Sequence, residues 1–175
     1  MKTLKPVATA ALLLAAGHTL FGQGKPAPNG LRRPGEDLLF SFETKRGKIV
    51  SLCEGPKGAY LVYRFGTPAK VELQYPAVLD TSSWRKFSYF ATHLGGGTEN
   101  ASGEAHQLSF MNGSVLYVLD DLEYSSIGKN REENYRREVS VSVTVNDKTL
   151  SIAGEADTAY GDLVLDDERL KRESE

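Results

Sequence analysis

Two histidines, His93 and His106, flank a glycine-rich stretch that also carries Glu99 and Glu104. Imidazoles and carboxylates are the side chains of metal coordination and of general acid–base chemistry. Loop closure between the flanks would bring His93, Glu104 and His106 together, as three ligands or as an acid–base set. No H-x-H, H-E-x-x-H or H-x₃₋₅-H spacing occurs, so the primary structure alone does not place them on one metal. Gly95, Gly96 and Gly97 lie in the same stretch without the Lys–Ser/Thr of a phosphate-binding loop, and no helical pattern follows them, which argues against nucleotide binding. His93, Gly95, Gly96, Gly97, Glu104 and His106 form the candidate ligand-binding set.

Other reactive residue types give less. Cys53 is the only cysteine, so no internal disulfide forms. It has no cationic neighbour in sequence to lower its pKa and is expected to be buried as a small apolar residue. No G-x-S-x-G elbow occurs. The acidic pairs Asp120–Asp121, Glu132–Glu133 and Asp166–Asp167 would point to opposite faces of a strand and cannot work as an acid and base on one face; solvated edges are expected for them. No catalytic residue, metal or cofactor is assigned.

The elements that must position these groups repeat with a period of two. In Lys70–Tyr75, Val71, Leu73 and Tyr75 oppose Lys70, Glu72 and Gln74; in Arg137–Val145 four valines oppose Glu138, Ser140, Ser142 and Thr144. Such alternation describes strands with one face buried and the other wet. Asp37–Thr44 puts Leu38, Phe40 and Phe42 on one side, while Ser114–Asp121 is apolar on both faces. Asn112–Gly113 is a hairpin signal, and Arg46–Gly47, Gly55–Gly58, Gly66–Pro68 and Asn146–Lys148 read as further turns. Strands are expected at 37–44, 48–54, 59–65, 70–75, 86–92, 107–111, 114–123, 137–145 and 149–153. The chain therefore reads as all-β, a single antiparallel β-sandwich or barrel of eight to nine strands. Tyr63, Phe65, Leu73 and Tyr75 fall with its core, and Arg64, on the opposite face, is expected at the solvent or at an edge. The longer connections Leu94–Ala105 and Tyr124–Tyr135 are the places for function.

The ends of the chain differ from its middle. Met1–Pro6 carries Lys2 and Lys5, and Val7–Gly17 is an apolar run too short to span a bilayer. This is the layout of a secretory signal peptide over 1–22, cut between Gly22 and Gln23. Residues 23–36, rich in Pro and Gly, read as a flexible leader, 37–165 as the β domain, and 166–175 as a charged tail that curls briefly. A formal net charge of −2 gives no basic excess for nucleic acid, and no later run is long enough to cross a membrane as a helix. A periplasmic or secreted location is expected.

Three segments carry a resemblance: FETKRGKIVSLCEG with YLVYRFGTP, KVELQYP, and Leu108–Gly113. Together they resemble a group of small exported bacterial proteins with a Ser-Leu-Cys strand, a Tyr-Arg-Phe-Gly-x-Pro hairpin and a Val-Glu-Leu-x-Tyr-Pro strand. The resemblance spans most of the chain after residue 22. It implies an exported β domain without an assigned activity, so no site residue is carried over. Cys53–Glu54–Gly55 and the following Tyr60–Tyr63 strand also resemble, more faintly, the opening of the periplasmic C-type lysozyme inhibitors; their second cysteine and loop motif are not present here. The expected function is that of a non-catalytic binding module for an envelope or extracellular protein or glycan. The alternatives are inhibition of a lysozyme-type hydrolase, or a secreted hydrolase or metal-dependent enzyme built on His93, Glu104 and His106.

Overall fold

In the computed structural model the described residues are 30–94, 102–127 and 133–173. The proposed signal peptide, its Gly22–Gln23 cut and Gly95, Gly96 and Gly97 lie outside them. Ten strands form one sheet: β1 (Asp37–Thr44), β2 (Ile49–Glu54), β3 (Leu61–Thr67), β4 (Lys70–Tyr75), β5 (Ser88–Leu94), β6 (Ser102–Asn112), β7 (Val115–Ile127), β8 (Glu133–Val145), β9 (Lys148–Tyr160) and β10 (Lys171–Arg172). Their order across the sheet is β10-β5-β6-β7-β8-β9-β1-β2-β3-β4. Every neighbouring pair is antiparallel except β10 with β5. The sheet curls into a half-barrel, and so is neither a sandwich nor a closed barrel: among the described residues all strands belong to one sheet, and β4 and β10 remain as its edges.

Alternation explains the curl. Phe40, Phe42, Val50, Leu52, Leu61 and Tyr63 from one wing and Phe87, Leu108, Phe110, Leu119 and Val141 from the other are buried on the concave face. Rings close the gap between the wings: Phe110 of β6 lies 4.3 Å from Tyr75 of β4 and 5.0 Å from Tyr63 of β3, centroid to centroid. Each such aromatic pair adds about 0.5–1.5 kcal/mol beyond its buried area. The expected turns hold where their chemistry is strongest: Gly113 (φ 64°) and the Asn146–Asp147 pair (φ 46° and 61°) supply the left-handed backbone of tight hairpins.

Three expectations need correction. A bulge in β1 between Leu38 and Phe40 moves Leu38 to the convex face and lets Leu39 pack on the core, because one inserted residue inverts everything beyond it. Of the stretch read as a flexible leader, Gly30–Glu36 is described, and it packs on the convex face of β1–β3, with Leu31 and Glu36 buried. The C-terminal residues do not form a loose tail either. From Gly161 the chain runs past β7 to β5 as a strap across the concave face, burying Leu163, Leu165 and Leu170, and ends in β10 beside Ser88 and Tyr89.

Candidate functional site

The long strands β6–β9 extend beyond the apolar core at one end, and there the concave face turns polar. His93 of β5 pairs directly with Glu104 of β6, and His106 lies two residues further on the same face. Across β7 and β8 the row continues: Asp121 opposite His106, Glu123 opposite Glu104, Arg137 opposite Glu123, and Tyr135 opposite Ser125. None of the three expected site residues sits in a loop, because β5 runs to Leu94 and β6 begins at Ser102.

The structure does bring His93, Glu104 and His106 together, as a carboxylate between two imidazoles. One Glu104 oxygen is 3.7 Å from His93 Nδ1 and the other 3.5 Å from His106 Nε2. The second nitrogen of His106, Nδ1, is 2.8 Å from the Tyr89 hydroxyl. A metal needs its ligand atoms to converge on one point at about 2.0–2.2 Å, and among the described residues no group of three His, Cys, Asp or Glu is so placed. The side chains of His93 and Glu104 are 66% and 59% exposed, whereas that of His106 is 14% exposed.

Behind this open trio is an ion pair missed at the level of sequence, its Asp121 half buried and its Arg137 half partly buried. Arg137 donates from Nε and Nη2 to the two oxygens of Asp121, each at 2.8 Å. Asp121 also accepts from the Leu163 amide at 3.0 Å, and Arg137 Nη2 reaches the Gly161 carbonyl at 2.7 Å. The pair therefore pins the start of the strap to β7 and β8, and its charges are consumed by the fold. Asp120, one residue away, points to the convex face, where it accepts from Gln107 and Ser140. Adjacent residues do face opposite ways, as expected, yet Asp121 is not a solvated edge. Burial pushes the Asp120 carboxyl above its ordinary value, partly offset by those two hydrogen bonds.

A second pair, this one buried on both sides, fastens the other irregular segment. Arg64, expected at the solvent or an edge, is fully buried; it donates through Nη1 and Nη2 to the two oxygens of Glu36 at 2.6 and 2.7 Å. It also holds the Leu31 carbonyl at 3.2 Å. Glu36 in addition accepts from the Arg33 amide and the Tyr60 hydroxyl. Burial works against its charge, but the hydrogen bonds from Arg64, Arg33 and Tyr60 outweigh it and hold the carboxyl below its usual value. Cys53 is buried beneath the same segment, as expected for an inert thiol; burial, then the Glu36 charge, pushes its pKa up to about 12.

The chain matches no protein-family model, no curated protein and no solved structure. What distinguishes the polar end is a shallow recess of about 290 Å³, lined by His93, Ser102, Gly103, Glu104, Glu123, Tyr124, Ser125 and Tyr135. It carries hydroxyl, carboxylate and imidazole groups, and Tyr135 stands 75% exposed beside them. Glu123 was missed at the level of sequence, and Tyr135 entered only as the end of a long connection; strand register is what sets them opposite Glu104 and Ser125.

Proposed function

We propose that the chain is an exported bacterial binding module and that the polar end of its concave face engages a glycan of the envelope. One observation carries this reading: Glu104, Glu123 and Tyr135 keep more than half of their surface exposed in the recess, whereas the neighbouring Asp121 is buried and holds the strap. Exposed carboxylates beside an exposed tyrosine ring fit a polyhydroxyl ligand, which takes paired hydrogen bonds on its edges and an aromatic surface on its face. The trio of His93, Glu104 and His106 supplies hydrogen-bonding groups in this reading and performs no bond cleavage. Export is supported by Lys2, Lys5 and the apolar run Val7–Gly17.

Cosedimentation with insoluble cell-wall glycan tests the proposal. Wild-type protein is expected in the pellet, and Glu104→Gln with Tyr135→Ala in the supernatant, with unchanged thermal melting. Equal pelleting of the double variant, or no pelleting of wild type, refutes the assignment. Turnover of the glycan by the wild type, lost on Glu104→Gln, would replace it with the hydrolase reading.

A further inference from the structure

At the opposite end of the concave face the chemistry is reversed. A groove of about 340 Å³ lies between the β1–β2 turn, Phe65 of β3 and Leu150–Ala153 of β9. Its floor is an extension of the core, since Phe65 and Ile152 pack directly on the buried cluster. Its overhang is Leu150, 64% exposed on the β8–β9 hairpin, where β9 continues past the last residue of β1 that pairs with it. Three basic residues, Lys45, Arg46 and Lys48, stand at the rim, and no acidic residue lines the groove. Lys48 is neutralised by Glu72 at 2.5 Å, whereas Lys45 and Arg46 form no ion pair among the described residues. The turn that carries them is fixed: the Gly47 amide bonds to the Thr44 carbonyl, and the Lys45 amide to Ala153.

An apolar channel ending at two unpaired cations is complementary to one class of ligand. We propose that the groove binds a free fatty acid, with its acyl chain along Phe65, Ile152 and Leu150 and its carboxylate between Lys45 and Arg46. An apolar cavity of about 150 Å³ accepts benzene, so this volume suits a chain of roughly ten to twelve carbons. The chain covers Leu150, whose exposure otherwise leaves apolar surface in water, and the cations receive a counter-charge the fold does not supply. The inference is independent of the glycan recess, which lies at the other end of the same strands.

Calorimetric titration of the full-length chain with octanoate, decanoate and dodecanoate, below micelle formation, tests it. Saturable one-to-one binding is expected, tightening roughly fourfold per added methylene. Leu150→Asp and the double variant Lys45→Glu/Arg46→Glu should each weaken dodecanoate at least tenfold. These positions are exposed, and unchanged circular dichroism and melting confirm the fold; should one variant unfold, the other carries the test. Absence of saturable binding, variants that bind like wild type, or equal binding of dodecyltrimethylammonium each overturns the proposal. So does cosedimentation with anionic vesicles in place of monomer binding, because that assigns the same residues to a membrane surface.

Discussion

Replacing Arg64 by Met separates the two roles that a buried ion pair can play. The side chains of Arg64 and Glu36 are 0% and 1% exposed, so neither charge is screened by solvent. Removing the guanidinium leaves the Glu36 carboxylate buried with only the Arg33 amide and the Tyr60 hydroxyl as donors, and leaves the Leu31 carbonyl without its Arg64 donor. Breaking one half of a buried pair costs about 3–5 kcal/mol, which for a chain of this size lowers Tm by roughly 6–20 °C. Replacing both residues, Arg64→Met with Glu36→Leu, removes the stranded charge and should recover at least half of that loss. Urea unfolding with a double-mutant cycle measures the coupling, and hydrogen exchange at the Leu31 and Arg33 amides reports whether the 30–36 segment is released. The pH profile supplies a second readout. Because the folded state holds the Glu36 carboxyl below its ordinary value of 4.5, its contribution is complete above that pH and is lost as pH falls through the folded value. The gap between wild type and Arg64→Met therefore narrows in acid. A loss under about 1 kcal/mol for Arg64→Met, or a double variant worse than the sum of the singles, refutes the reasoning.

Two further groups, the half-buried Asp120 and the buried Cys53, carry the other predictions. Asp120 is the reverse of Glu36: its carboxyl is pushed above the ordinary 3.8, so stability falls as pH rises through the interval between the two values. Asp120→Asn should raise Tm at pH 7, with the gain vanishing below pH 3.8; a lower Tm at pH 7 contradicts it. Cys53, with its thiol pushed up to about 12, should resist a thiol reagent at pH 8 in the native protein and react fully in urea. Stoichiometric labelling of the native protein within seconds would show that the convex-face cover is not in place.

The strands were legible because their cause is local. Alternation in Lys70–Tyr75 and Arg137–Val145 reflects a pleat of period two, and both segments are strands. The expected strand ends fell short where polar residues replaced apolar ones. β6 starts at Ser102, paired along its length with β7, and β9 continues past its pairing with β8 to Tyr160 beside β1, since backbone pairing extends a strand without any apolar pattern. For the same reason His93 and Glu104 were read as the flanks of a loop, although they form one cross-strand pair.

Sequence by itself determined the all-β class, most of the strand positions, the tight turns at Gly113 and Asn146–Asp147, and the burial of Cys53 and the aromatic core. Each depends on residues within a few positions of one another. Tertiary structure decided that the sheet stays open as a half-barrel, that Arg64 meets Glu36 and Arg137 meets Asp121, and that the strap and the 30–36 segment cover its two faces. Those contacts join residues 16 or more positions apart, from 16 between Asp121 and Arg137 to 111 between Gly58 and Arg169. No local pattern encodes which charge will be buried, because burial is created by the segment that folds over it.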